Sequence, residues 1–250
     1  MFTGVVLHQQ EELRIARTHR VLVAQTSQPH ACLSFAPHRG GDTVTDLVSN
    51  HAVQSSELSL EVDALALLRA RQTSLVGRDG VAMMTACALE HAVVAQAHEV
   101  DAAGSVEAVA VATVGLSNLL RAGDAPGALA PVDTINVIVW LSRPLTIGAR
   151  LEALSIATEA RTLAVHEAAL PSRRSGALAT GTGTDCFALL SPLAGDPGRA
   201  SEPYAGKHTA VGAVVGRAVH QSVAAGVASW TARYGADLRR AMHTHFGGPR

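Results

Sequence analysis

The sequence predicts an α+β layered sandwich built as one domain, with mainly antiparallel or mixed sheets and two long helices. Three observations predict it. The first third alternates short β-like runs with turn chemistry, and residues 146–167 and 207–233 carry helical patterning. Two segments of the second half also resemble each other, as an internal strand–strand–helix repeat would require.

In chain order, residues 4–10, 13–17, 20–25 and 31–36 each fit a strand, separated by polar breaks such as Gln10-Glu11-Glu12 and Arg17-Thr18-His19. Pro37-His38-Arg39-Gly40-Gly41-Asp42 breaks the pattern and reads as loop. Residues 61–72 place Val62, Leu65 and Leu68 at helical spacing. Residues 81–86 and roughly 91–100 fit strands, although 88–98 reads equally as helix. Strands at 106–114 and 134–142 flank a loop at 118–126. Thr146 caps the first long helix, which Pro171 follows. Strands at 177–180 and 185–191 lead through a Gly/Pro-rich loop at 195–203 into the second helix. A flexible tail is expected from about residue 240. Residues 110–118 can be laid over 177–185, and each copy continues into a strand, a loop and a threonine-initiated helix with an early glycine, Gly148 or Gly212. Chance similarity in an Ala/Thr/Gly-rich chain would give the same overlay.

Composition narrows function. Hydrophobic residues make up 48% and charged residues 16%, which fits a large buried core. The 20 basic and 21 acidic side chains nearly balance, so the basic face that nucleic acid requires is not visible. Aromatics at 3% give little for base stacking. No apolar run approaches membrane-spanning length, and the first twenty residues lack a signal-peptide pattern. The three cysteines, Cys32, Cys87 and Cys186, are distant and odd in number, so a reducing cytoplasm is expected. The histidines do not form metal-ligand spacings; no cofactor is expected, and a metal requirement, with a composite site from His208, Asp185 and Glu159, is left open.

Two motifs stand out. Gly206-Lys207-His208-Thr209 invites comparison with a phosphate loop but departs from it twice: Ser201 replaces the first glycine and His208 the magnesium-binding hydroxyl. At the start of a long helix, Lys207 and His208 could hold an oxyanion, or Thr209 could simply cap the helix beside two solvated neighbours. The run Thr180-Gly181-Thr182-Gly183-Thr184-Asp185 gathers three hydroxyls, two glycines and a carboxylate. It reads as a ligand-approaching bend with Asp185 as a base, or as a turn anchored by Asp185. Glu159 and Thr162 share one helix face, either buried chemistry or a solvent face.

These segments, with others along the chain, resemble the adenosylcobinamide amidohydrolase family. The carriers are Leu33-Ser34-Phe35-Ala36 with Gly40-Gly41, Val76-Gly77, Met83-Met84-Thr85-Ala86, Asn118 with Arg121-Ala122-Gly123-Asp124, and Thr134-Ile135-Asn136-Val137-Ile138-Val139. Ala157-Thr158-Glu159-Ala160-Arg161-Thr162, Ser172-Arg173, residues 179–185 and 204–209, Gly212 and Gly216 complete the set. The resemblance implies cleavage of the amide between the aminopropanol arm and the corrin ring, yielding adenosylcobyric acid and 1-amino-2-propanol during corrinoid salvage in a prokaryotic cytoplasm. Pro37-His38-Arg39 and Ser142-Arg143 depart from the pattern and bear on substrate preference. The expected partner is a small-molecule corrinoid, with a homo-oligomer left open.

Amide hydrolysis needs a nucleophile, an oxyanion site and a proton for the amine. One assignment has Asp185, with Glu159, activate water, His208 protonate the leaving nitrogen, and Lys207 hold the oxyanion. The rival makes Thr180, Thr182 or Thr184 the nucleophile with Lys207 or His208 as base. Gly40, Gly41, Thr85, Asn118, Arg121, Asp124, Asn136, Arg173, Thr180, Thr182, Gly183 and Tyr204 are expected to bind the ring and its arms. Two other classes stay open: a non-catalytic corrinoid-binding protein, and an amidase for an unrelated substrate.

Overall fold

The computed structural model describes residues 2–54, 57–58, 62–127, 133–195 and 200–246. A front sheet is formed by β6 (Val93–Asp101), β7 (Gly104–Val114), β9 (Ile135–Leu141) and β11 (Cys186–Pro192). β6, β7 and β9 pair antiparallel, while β9 and β11 run parallel. Behind it lie β1 (Val5–Gln9), β2 (Leu13–Arg17), β3 (Val21–Ser34), β4 (Gly41–Ala52) and β5 (Val81–Thr85). β3 joins the two layers. β4 follows one of its edges throughout, whereas the first half of β3 pairs with β2 and the second half with β11. A two-stranded ribbon of β8 (Leu119–Leu120) and β10 (Gly181–Thr182) stands apart.

Alternation along the front strands sorts side chains to two cores. Val106, Ala108, Ala110 and Ala112 of β7 and Val137 and Val139 of β9 face the helices α2 (Ile147–Glu167) and α3 (Ala210–Phe246). Val109, Val111, Ile138, Trp140, Ala188 and Leu190 face Leu13, Ile15, Leu22, Val48 and Met83 of the back layer. β9 is buried at every position, as expected of a strand with a parallel neighbour and both faces covered. On α2 the buried stripe is Ala149, Ala153, Ala157, Ala160 and Ala164, small enough for close approach to sheet and helix. Thr146 caps it through the Ala149 N–H at 3.2 Å. A layered sandwich with mixed sheets and two long helices is therefore the observed fold class.

Several elements differ from expectation. The segments expected at 20–25 and 31–36 are one bent strand, β3, whose register shifts between Gln25 and His30. Pro29 lies in that gap and brings no N–H to the ladder. β4 was not expected, because Thr45, Ser49, Asn50 and His51 are polar yet buried, which erases the apolar alternation. The short helix α1 (Ala64–Arg71) continues as a π-helical turn, Gln72–Val76, whose Leu75 and Val76 cover the back sheet. Residues 93–101 are strand rather than helix. Residues 177–180 form no strand, and 119–120 pair within the expected loop. The internal repeat survives only as β9–α2 beside β11–α3, since the two leading segments differ. α3 starts at Ala210 with Thr209 accepting from the Gly212 N–H at 2.9 Å, so the capping reading of Thr209 holds. It continues to Phe246, through most of the expected tail, and residues 247–250 lie outside the described set, as do 196–199 of the loop at 195–203.

Arg143, one of the unusual residues of the sequence, is a buried tie. Its guanidinium donates to Asp101, Glu202 and the carbonyls of Gly104 and Ser105, joining the β6–β7 turn to the segment before α3.

His51 of β4 gives a pH prediction. Its Nε2 contacts Gln72 Oε1 at 2.8 Å and Ser49 Oγ at 3.1 Å, and its Nδ1 is buried with no hydrogen-bond partner among the described residues. Burial pushes the ring from 6.5 down to about 4, against the pull of Gln72. The folded state thus resists protonation, so stability is fully present above pH 6.5 and is lost as pH falls through about 4, a loss of about 3 kcal/mol. Urea midpoints at pH 7.5 and 4.5 should drop less for His51→Gln than for the wild type; equal drops would remove His51 as the cause.

Candidate active site

The candidate site lies at the end of the two layers where β9 and β11 begin and β4 and β5 finish. Between them lies a cavity of about 230 Å³ whose walls include Pro37, Met83, Met84, Thr85, Asp133, Thr134, Thr184 and Cys186. Its wall adjoins a buried polar network through Met84. Asn136 Nδ2 donates to Asn50 Oδ1 at 2.9 Å and to the Met84 carbonyl at 2.7 Å, and Asn50 Nδ2 donates to Thr113 Oγ1 at 2.9 Å. Four strands from both layers are pinned by these bonds, so the mouth is preorganised.

Asp133, just before β9, is the carboxylate in this wall. Its Oδ2 accepts from the Ser117 N–H at 3.0 Å and the Ser117 hydroxyl at 2.8 Å, and its Oδ1 accepts from the Cys87 thiol at 3.1 Å. Gly115 makes room for it: a Cβ there would sit 1.5 Å from Asp133 Oδ1. Burial, then the Asp133 charge, pushes the Cys87 thiol far up, so it stays protonated and can donate. The Cys186 thiol is likewise pushed up to about 12 by burial. Thr134 Oγ1 donates to the Thr184 carbonyl at 2.8 Å, and the exposed Thr184 hydroxyl lies 3.4 Å from the Asp133 carbonyl.

Asp185 sits beside this site but faces inward. Its carboxylate accepts from Arg161 Nη1 at 2.5 Å, from the N–H groups of Ile135 and Thr182 at 3.0 Å each, and from the Thr182 hydroxyl. Burial pushes its acidity range up while Arg161 and the Thr182 and Ile135 donors pull it back. With four donors on two oxygens and 7% side-chain exposure, Asp185 performs the turn-anchoring role weighed in the sequence. Gly181 is required for the pair, since a Cβ would lie 1.6 Å from Arg161 Nη1.

Several of the residues expected to bind substrate tie the β8–β10 ribbon and its flanking loops together. Asn118 accepts from the Gly183 N–H, Thr180 Oγ1 accepts from the Ala122 N–H at 2.8 Å, and Arg121 reaches the Leu178 carbonyl at 2.9 Å. Asp124 accepts from the Arg121 N–H at 2.8 Å and from Ser172, and Arg173 donates to the Ser117 carbonyl. Thr85 is buried and lines the cavity, and Asn136 is buried in the network beside it. Gly40 and Gly41 instead form the β3–β4 turn beyond Pro37.

The composite of Asp185, Glu159, Lys207 and His208 is not assembled. Lys207 Nζ pairs with Glu159 Oε2 at 2.5 Å on the outer face of the helix layer, at 71% and 53% side-chain exposure, and His208 is exposed beside them. They border an open groove between α2 and α3, whereas Asp185 lies beneath α2. Tyr204 is also exposed on that side, before α3. Glu159 therefore belongs to the solvent face. Sequence reasoning missed Asp133, Cys87 and Asn50, which carry no local motif and find their partners in distant parts of the chain. Among the described residues, no group of three His, Cys, Asp or Glu side chains is placed to hold a metal, and no helix is long and apolar enough to cross a membrane.

Comparison with known proteins adds the decisive observation: residues 5–235 match the adenosylcobinamide amidohydrolase family. The chain belongs to that family. An uncharacterised protein of Methanocaldococcus jannaschii is 34% identical over 93 residues, which cover 37% of this chain and 34% of that protein. The match thus spans about a third of that relative's length. Among solved structures, this member of the amidohydrolase family is similar to the PH0078 protein of Pyrococcus horikoshii OT3, at 12% identity over 91% of this chain and 82% of that one, with a TM-score of 0.44. It is also similar to a Burkholderia β-aminopeptidase, at 14% identity over 99% and 94% with a TM-score of 0.42. A third likeness is to the L-aminopeptidase D-Ala-esterase/amidase of Ochrobactrum anthropi, described as a variant among the Ntn hydrolase fold, at 9% identity over 92% and 88% with a TM-score of 0.44.

Proposed function

We propose that the cavity between the sheets hydrolyses the amide joining the aminopropanol arm to the corrin ring of adenosylcobinamide. The products are adenosylcobyric acid and 1-amino-2-propanol. The observation that carries this reading is a carboxylate, Asp133, fixed in the wall of a preorganised cavity in a chain of an amidohydrolase family. A cavity of about 230 Å³ is smaller than a corrin macrocycle, so the arm enters and the ring lies across the rim. Asn118, Arg121, Asp124 and Arg173 line the loops of that rim and offer partners for its amide arms.

In the proposed reaction Asp133 takes a proton from a water as that water attacks the scissile carbonyl carbon. The Thr184 hydroxyl, only weakly engaged at 3.4 Å, donates to the tetrahedral oxyanion. The C–N bond then breaks and Asp133 returns its proton to the departing amine. A second reading makes Thr184 the nucleophile with Asp133 as base, because its hydroxyl is exposed beside the carboxylate's backbone. The buried unpaired thiols of Cys32, Cys87 and Cys186 support a reducing compartment, and we place the reaction in the cytoplasm.

Purified protein incubated with adenosylcobinamide should release both products in equal amounts, followed by chromatography. Binding of the corrinoid without release of aminopropanol would leave a binding protein, and hydrolysis of other amides alone would leave an unrelated amidase. A covalent acyl-enzyme trapped on Thr184 and seen by mass spectrometry would select the second reading.

A further inference from the structure

We propose that Cys87 is a positioning residue for the reaction: its thiol donates to Asp133 Oδ1 and, with Ser117, sets the carboxylate's orientation and its readiness to take a proton. The inference rests on Asp133 being the proton acceptor of the proposed hydrolysis.

The geometry is asymmetric in a way that matters for a base. Oδ2 is held by two strong donors, the backbone N–H and hydroxyl of Ser117 at 3.0 and 2.8 Å. Among the described residues, Oδ1 receives a thiol alone, a weak donor, at 3.1 Å. A strong donor on Oδ1 would hold the carboxylate in its charged form and weaken it as a base, whereas no donor would leave the buried charge under-solvated and free to rotate. The thiol lies between these limits. The carboxylate offers its sulfur a charged acceptor, in competition with the Thr134 carbonyl at 3.2 Å. Cys87 is itself fixed, its backbone N–H donating to Thr85 Oγ1 at 3.1 Å, and Thr85 is a wall of the same cavity. Gly115 closes the remaining side by leaving space for the carboxylate and nothing else.

The ionisable groups packed around this end of the sheets are Cys186 at the start of β11, the buried Asp185–Arg161 pair, and Arg173, whose guanidinium reaches the Ser117 carbonyl. None of them replaces the thiol on Oδ1 in the hydrogen bonds that hold Asp133.

The test reads the Asp133 carboxyl directly, by NMR titration of the carbon-13-labelled full-length chain, in wild type, Cys87→Ala and Cys87→Ser. Loss of the donor in Cys87→Ala should move the Asp133 titration up by about one pH unit, with Cys87→Ser, a stronger donor, bringing it back to the wild-type position or below. The acid limb of the rate profile with adenosylcobinamide should move by the same amount, with KM little changed. An unmoved carboxyl titration in Cys87→Ala would overturn the inference, whatever the activity. A moved titration with an unmoved acid limb would instead count against Asp133 as the proton acceptor. Thermal melts of the three proteins separate either result from a loss of packing, which would lower Tm without shifting the titration.

Discussion

Asp133→Asn is expected to lower the rate of adenosylcobinamide hydrolysis by about a thousandfold while the chain stays folded. The substitution keeps the shape and leaves an amide oxygen to accept from the Ser117 N–H and hydroxyl, so the loop before β9 keeps its anchor. What disappears is the proton acceptor in the cavity wall. A rate within tenfold of wild type would remove Asp133 from the chemistry. Gly115→Ala approaches the same atom from outside: its Cβ would overlap Asp133 Oδ1 at 1.5 Å, and the carboxylate must swing away because Gly115 itself is held in place by its N–H bond to the Thr134 carbonyl at 3.0 Å. Rate should therefore fall in Gly115→Ala with corrinoid binding largely kept, since the rim residues are untouched.

Asp185→Asn is expected to cost about 3–5 kcal/mol of stability. The neutral side chain leaves the Arg161 guanidinium buried at 12% exposure, with the Thr180 carbonyl at 2.7 Å and the face of Phe187 as remaining company. Arg161 Nε is already buried with no partner among the described residues, so the group has little tolerance for a further loss. Replacing both members, Asp185→Asn with Arg161→Met, should recover much of the loss, because no charge is left stranded and an amide oxygen can still accept from the Ile135 and Thr182 donors. Urea unfolding of the two single variants and the double variant measures this. A normal midpoint for Asp185→Asn combined with a collapsed rate would instead return Asp185 to the catalytic role considered from its motif. The two carboxylates thus separate experimentally, one through rate and the other through stability.

Particular residues show why part of this site was legible and part was not. The bend at 180–185 announced itself through its hydroxyls and glycines, and it does border the mouth. Its carboxylate was ambiguous, because one Asp at a turn looks the same whether its oxygens face a ligand or an arginine from the next helix. Asp133 offered no signal at all: it precedes a strand, follows a proline by two residues, and gains its partners from Ser117 and Cys87, far away in the chain. Lys207 and His208 erred in the other direction. A helix start rich in donors is locally a good anion site, but the packing of α3 beside α2 turned it outward, where Glu159 neutralises Lys207.

The sequence by itself determined the layered class, the two long helices with Thr146 and Thr209 at their starts, and the family. These depend on local patterning, caps and motif order, all of which are written along the chain. Only the tertiary structure decided that β4 exists, that β3 bends to serve both layers, and that Asp133 rather than Asp185 faces the cavity. Each of those rests on buried polar groups finding partners across sheets, and hydrophobic periodicity carries no record of a hydrogen bond made between distant strands.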